Sequence, residues 1–332
     1  MKKILMLVML VFSLTLTGCF KTNEKDIVKE LSKKINNSKG YYITGTLEMY
    51  NNDDKYTYNV NVSYMPENNF KVTLINKNNN HEQIILRNEE GVYVLTPSLN
   101  KSFKFQSDWP YNNSQSYILQ NIVNDIKNDK DYKIAAIKEG YEIETKVDYS
   151  SNKKLTKQKI YIDKKSNITK IEVFDDEDNI HIKMVFDTID LKATYDDKYF
   201  TLKENMASSI EDTETMETSK IEDIIYPMYI PANTRLTSQD IVEKENGERV
   251  ILTFDGDKPF MLVQETIAKD DEIVTTMVDG EPFIIADSVA AVSEYSINWV
   301  SDGVEYYVVS SDLDSEELIS VASSISVMPV GK

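Results

Sequence analysis

The feature of this sequence that most constrains its fold is a long series of short strand-like segments separated by clusters of turn-forming residues. Between Tyr56 and Tyr64, polar residues alternate without interruption with apolar or aromatic ones. One side of this segment carries Tyr56, Tyr58, Val60, Val62 and Tyr64. The other side carries Thr57, Asn59, Asn61 and Ser63. Such alternation indicates a strand with one buried and one solvated face, as in an antiparallel sheet.

The same reading predicts further strands at residues 41–50, 70–75, 82–86, 92–96, 103–106, 133–138, 141–148, 157–162, 168–174 and 180–186. Two amphipathic helices are predicted, at residues 26–37, with Asp26 placed as the N-cap and Gly40 beyond the end, and at residues 116–127. No βαβ alternation is present, which argues against nucleotide-binding α/β folds. The order helix, strands, helix, strands predicts an α+β fold, a curved antiparallel sheet or half-barrel covered by helices on one side.

A second, smaller α+β domain is predicted at residues 223–332, after an acidic linker at residues 204–222 that is rich in Ser, Thr and Glu. Its predicted strands are residues 250–254, 260–266, 273–278, 283–286, 297–300 and 304–310. Asp314 and Glu317 form a capping-box pattern at the start of a last helix.

The charge is concentrated in the last third of the chain. The whole protein has a formal net charge of −18, while residues 204–332 hold 7 basic and 27 acidic residues, a net charge of −20. An acidic domain of this kind excludes nucleic acid as a partner and is repelled by anionic lipid surfaces.

The N-terminal segment is typical of a secretory signal peptide. Met1-Lys2-Lys3 supplies positive charge, and residues 4–16 form an apolar run that is too short for a spanning helix. Leu16-Thr17-Gly18-Cys19 resembles the bacterial lipobox. The resemblance implies removal of residues 1–18, lipidation of Cys19 with residues 19–25 as a tether, and a location on the extracytoplasmic face of the cell membrane. A plain signal peptide with an incidental cysteine is the alternative. Cys19 is the only cysteine, so no internal disulfide forms.

Residues 26–203 resemble the LolA/LppX/RseB group of lipoprotein carriers and periplasmic sensors. The resemblance rests on the leading helix, the long meander and the helix placed before the last strands. The run from Gly91 to Lys101, followed by Trp109-Pro110, is similar to the GerS family of germination lipoproteins in spore-forming bacteria. The pattern of Trp299, Asp302, Gly303 and Tyr306 is similar to a small α+β module of extracytoplasmic sporulation and anti-sigma proteins.

This resemblance implies a LolA-like half-barrel that binds a protein partner, such as a cell-wall amidase in spore cortex maturation, or an acyl chain. A protein anchored by its own lipid cannot shuttle cargo between membranes, which makes the carrier role doubtful. The alternatives are an RseB-like sensor that binds an anti-sigma factor and a lipid or lipoprotein carrier. A groove for an acyl chain or peptide is hypothesised along Tyr56, Tyr58, Val60, Val62 and Tyr64, against the alternative that these residues fill the core.

Residues that carry out catalysis are scarce in this sequence. The two histidines, His81 and His181, are 100 residues apart and are expected to be exposed at strand ends. The run from Asp175 to Asp178 lacks the ligand spacing of a calcium loop and is expected to be a turn. We therefore expect no catalytic residues, no metal and no cofactor. A glycan hydrolase with paired carboxylates is the remaining enzyme hypothesis.

Overall fold

The computed structural model describes residues 24–51, 54–207, 220–221, 223–245, 247–267 and 273–325. The predicted signal peptide, Cys19 and most of the predicted linker lie outside these residues. None of the helices in the described part of the chain is both long and apolar enough to span a membrane.

The first domain is a helix followed by two antiparallel meanders. Helix α1 (Glu24–Asn36) precedes the first meander, whose strands are β1 (Tyr41–Asn51), β2 (Asp54–Met65), β3 (Asn69–Asn76), β4 (Glu82–Asn88), β5 (Gly91–Thr96) and β6 (Lys101–Phe105). Helix α2 (Leu119–Asn128) comes before the second, which consists of β7 (Lys133–Ile137), β8 (Gly140–Lys146), β9 (Lys157–Asp163), β10 (Ile168–Phe174) and β11 (Ile180–Asp190). A short helix α3 (Leu202–Ala207) ends the domain.

The two meanders form one sheet because β1 pairs with β11, in the strand order β6-β5-β4-β3-β2-β1-β11-β10-β9-β8-β7. The ladder shifts register between Thr44 and Gly45. A Cβ atom at Gly45 would lie 2.3 Å from the carbonyl oxygen of Val185, so only glycine fits this close approach. The fold class predicted from the sequence, a curved antiparallel sheet covered by helices, is confirmed.

Helices α1 and α2 lie on one face of this sheet. Ile27, Leu31 and Ile35 of α1 are buried in the same core as Ile122 and Ile126 of α2. The helical spacing of these residues gives each helix one apolar side, and burying that side fixes the helix on the sheet. Asp26 lies inside α1 and is not its N-cap, so that part of the prediction was wrong.

The second domain contains a seven-stranded antiparallel sheet and a helix. Its elements are β12 (Thr234–Lys244), β13 (Gly247–Gly256), β14 (Phe260–Thr266), β16 (Glu281–Ile285), β17 (Ser288–Val292), β18 (Ser296–Ser301), β19 (Val304–Val309) and helix α4 (Ser315–Ser323). The strand order is β12-β13-β14-β19-β18-β17-β16. The predicted N-cap Asp314 of α4 is confirmed, because its side chain accepts a hydrogen bond from the Glu317 backbone N–H at 2.9 Å. The Glu317 side chain, predicted to complete a capping box, pairs with Lys258.

One strand of the second domain leaves its own sheet and joins the first. Strand β15 (Val274–Val278) pairs in parallel with β6, which makes it the twelfth strand of the larger sheet. Thr275 lies opposite Ser102, and their hydroxyl groups are 2.6 Å apart. The two domains therefore share backbone pairing as well as side-chain contacts.

Candidate functional site

The five residues of the predicted groove lie on β2 and face the helix-covered side of the sheet. Tyr58, Val60 and Val62 are buried in the main core. Tyr56 and Tyr64 at the two ends are partly buried against that core, and the Tyr64 ring packs 5.0 Å from that of Tyr41. The structure therefore places all five on one face, as the alternation predicted. Whether they bind a ligand stays a prediction.

The second domain contributes to the cover over this face. Ile284, Val289, Ala291 and Val300 belong to the same buried core as the sheet and helices of the first domain. The Tyr58 hydroxyl donates a 2.6 Å hydrogen bond to the carbonyl of Ala286. Strands β16 to β18 therefore close the face that helices α1 and α2 leave open.

Little free space remains beneath this cover. A cavity between Leu47, Tyr117 and Phe283 holds about 20 Å³, roughly the space of one water molecule. A second cavity beside Tyr56 and Ile319 holds about 80 Å³. Small-molecule pockets usually measure about 300–1,000 Å³, so neither space admits an acyl chain in this conformation.

A larger and more polar cleft of about 400 Å³ lies where the two domains meet. Its principal polar contact is Glu281, which is 7% exposed and accepts hydrogen bonds from Asn112, Ser150 and Ser151 of the first domain. These bonds satisfy a carboxylate that would otherwise be buried without partners. Glu281 therefore ties the two domains together. Within the described ranges, no cluster of three or more His, Cys, Asp or Glu side chains is arranged to hold a metal ion.

His81 is less exposed than expected. His81 Nε2 is buried and has no hydrogen-bond partner among the described residues. Burial lowers the pKa of His81, and the Asp302 carboxylate opposes this shift. The expectation of an exposed strand-end residue was therefore wrong for His81, which lies against the second domain.

His181 has a structural partner in the turn before it. Its Nε2 lies 2.8 Å from Asp175 Oδ2, and the same carboxyl group accepts hydrogen bonds from Glu177 and Asn179. Burial raises the pKa of Asp175, but the hydrogen bonds from Asn179 and His181 outweigh it and hold the pKa below its usual range. The acidic run from Asp175 to Asp178 is the hairpin turn that the sequence predicted.

The most open strand in the described part of the chain is one that the sequence did not predict. Strand β12 lies at the end of the second sheet and pairs only with β13. Ten of its eleven residues are exposed. No apolar alternation marks this segment, so the only sequence signal was its position before the turn at Gly247.

No family model matches the chain. The sporulation protein YdcC of Bacillus subtilis (strain 168) is 35% identical over 326 residues, which cover 97% of this chain and 96% of that protein. Similar solved structures were also found. One of them is the Pseudomonas aeruginosa MucA/MucB complex. The match covers 91% of this chain and 98% of the chain in that structure, with 12% identity and a TM-score of 0.32.

Two further structures each match about half of the chain. The CwlD amidase of Clostridioides difficile in complex with the GerS lipoprotein matches 53% of this chain and 98% of the other, with 18% identity and a TM-score of 0.31. The LolA superfamily protein NE2245 of Nitrosomonas europaea matches 55% of this chain and 97% of the other, with 11% identity and a TM-score of 0.31.

Proposed function

The chain belongs to the family of the sporulation protein YdcC, and from this premise we propose that it is a non-catalytic lipoprotein that binds a protein partner outside the cytoplasm. Lipidated Cys19 is the proposed anchor, holding the two domains on the outer face of the cell membrane.

The observation that carries this proposal is the filled space on the helix-covered face of the first sheet. A lipid carrier needs a cavity that accepts an acyl chain, whereas the two cavities here measure about 20 and 80 Å³. The residues around them come from both domains, so opening the space requires separating Phe283 and Ile284 from the first domain. This favours binding of a protein over carriage of a lipid.

The proposed partner is a peptidoglycan amidase that acts during spore cortex maturation. The support is the similarity of the Gly91–Lys101 run and Trp109-Pro110 to the GerS family. In such a complex, the lipoprotein localises and orders the enzyme and contributes no catalytic group of its own.

The test is a reconstitution with purified components. The mature chain is mixed with the sporulation-specific amidase of the same organism, and with a vegetative amidase as the control, and the mixtures are separated by size-exclusion chromatography with light scattering. We expect a stable complex with the sporulation enzyme alone. Failure of that enzyme to co-elute, with recovery of a transmembrane anti-sigma protein from membranes instead, would favour the RseB-like sensor role.

The anchor is tested separately by replacing its sulfur. We expect Cys19→Ala to move the protein from the membrane fraction to the soluble extracytoplasmic fraction, because a diacyl anchor supplies most of the membrane affinity. Cell fractionation followed by mass spectrometry of the mature N-terminus measures this. An unmodified Cys19 in the native protein would contradict the proposal.

A further inference from the structure

Strand β12 exposes a long stretch of backbone that has no pairing partner among the described residues. It pairs along one side with β13 from Thr234 opposite Gly256 to Lys244 opposite Gly247, with one register shift between Leu236 and Ser238, so the regular part of the strand is residues 238–244. Its other side is the end of the sheet. The N–H and C=O groups on such a side form a template for another strand.

The other sheet ends in the described part of the chain are short or blocked. Strands β7 and β15 at the two ends of the larger sheet have five residues each. Strand β16, at the opposite end of the second sheet, has five residues, and its Pro282 has no N–H to donate. The eleven-residue β12 contains no proline, and none of the described residues pairs with its outer side. Among the described strands at a sheet end, only β12 offers enough backbone for a stable added strand.

Side chains on both faces of β12 can contact an added strand. Leu236 and Ile241 lie opposite Phe254 and Val250, whose side chains are buried in the core of the second domain. Leu236 and Ile241 therefore continue the apolar face of the sheet into its exposed edge. Val242 lies on the other face, opposite Arg249. All three are exposed, with fractions of 38% for Leu236, 55% for Ile241 and 45% for Val242.

We propose that β12 is a docking strand that accepts an extended, basic segment of the partner protein by β-strand addition. This inference rests on the proposed function only in assuming that a protein is bound. It assigns that contact to the second domain and names its chemistry.

The charge around β12 selects a basic partner over a second copy of the chain. Residues 223–332 hold 6 basic and 21 acidic residues. Asp240 and Glu243 on the strand are exposed, and so is Arg235 near its first end, where it lies opposite Asp255. Lys244 and Arg249 both pair with Glu265. Pairing of two β12 strands would bring two acidic domains together, whereas a lysine- or arginine-rich segment is attracted.

The test uses a defined probe, so that it does not depend on the amidase. The probe is a seven-residue peptide that alternates lysine with valine or threonine, and its matched control carries glutamate in place of lysine. Amide hydrogen exchange of the full mature chain is measured with each peptide. We expect the basic peptide to slow exchange in residues 238–244 at least fivefold, and the acidic peptide to leave exchange there unchanged.

Three outcomes would overturn the inference. Unchanged exchange in residues 238–244 with the basic peptide would show that the edge does not accept a strand. Equal protection by both peptides would remove the basic selectivity. Protection that rises with protein concentration in the absence of peptide would identify a second copy as the occupant.

A pair of proline variants tests the backbone itself. Neighbouring N–H groups of a strand point to opposite sides, so one of Ile241→Pro and Val242→Pro removes a bond to β13 and the other removes an outward donor. We expect the outward variant to keep the wild-type melting temperature and lose at least fivefold in peptide protection, and the control Val242→Thr to keep protection. Wild-type protection in both proline variants would refute the docking strand. Loss of the amidase complex with intact peptide binding would refute only the proposed function.

Discussion

Asp125 on α2 is a partly buried carboxyl group of the first domain, and it has no basic partner among the residues that the structure describes. Its two oxygens accept hydrogen bonds from Ser114 at 2.9 Å and Gln158 at 2.8 Å. Burial raises its pKa to about 7, and these hydrogen bonds only partly offset that shift. Asp125 therefore binds its proton more tightly in the folded protein than in the unfolded chain.

The raised pKa of Asp125 predicts a pH-dependent stability. Between about pH 4 and pH 7 the folded state holds a proton that the unfolded state has lost, so the free energy of unfolding falls as the pH rises through this window. We expect Asp125→Asn to remove this loss, which amounts to about 4 kcal/mol at most. Urea unfolding of the wild type and the variant at pH 5 and pH 8 measures it.

The control for this prediction is Asp131→Asn, which changes an exposed carboxylate in the loop after α2. Its unfolding curve is expected to follow that of the wild type at both pH values. The prediction is contradicted if the free energy of unfolding falls equally in Asp125→Asn and in the wild type between pH 5 and pH 8.

Buried apolar residues were predictable from the sequence, whereas the buried polar ones were not. Tyr58, Val60 and Val62 follow a local alternation, and all three are buried. Gln83 and Glu281 carry polar groups whose burial depends on partners far along the chain, such as Ser150, which lies 131 residues from Glu281. No local pattern contains that information.

At the scale of elements, the strands that were missed are those whose existence depends on their neighbours. Strand β17 is buried on both faces between the two domains, so it has no period-2 pattern. Strand β12 is exposed on both faces and is held only by its ladder with β13. The predicted linker was also partly wrong, because its first residues belong to α3, where Asn205 and Met206 are buried.

The parallel pairing of β15 with β6 yields a prediction at this scale. We expect Thr275→Pro to detach β15, because proline cannot donate to the ladder and its ring distorts the strand. The free energy of unfolding should fall by about 1–3 kcal/mol. Hydrogen exchange of β6 should rise in this variant and remain at the wild-type level in Thr275→Ser, which keeps the hydroxyl contact with Ser102. Unchanged exchange in the proline variant would argue against the shared sheet.

At the scale of the whole molecule, the two domains are joined by buried polar contacts. The Gln83 side-chain oxygen accepts hydrogen bonds from the Val289 N–H at 2.7 Å and the Ser288 hydroxyl at 3.1 Å. Lys101 of β6 pairs with Glu305 of β19. Because breaking this junction leaves polar groups buried without partners, the domains should unfold together.

The two tryptophans report on the domains separately. Trp109 is buried in the first domain and Trp299 in the second. We expect Trp109→Phe and Trp299→Phe each to show a fluorescence transition that coincides with the loss of the whole molecule's circular dichroism. In both tryptophan variants, adding Gln83→Leu should lower the free energy of unfolding by about 1–3 kcal/mol, because it leaves the Val289 N–H unsatisfied. A shift confined to one tryptophan would mean that the domains are independent.

The return of β15 to the first sheet has a consequence for dissecting the protein genetically. The chain completes three strands of the second sheet, contributes β15 to the first, and then resumes the second. A truncated polypeptide that stops near residue 203 would lose β15 and expose β6 as an edge strand. The exposed edge would make the fragment prone to aggregation. A recombinant first domain therefore needs residues 274–278, either fused to its own chain or added as a separate peptide.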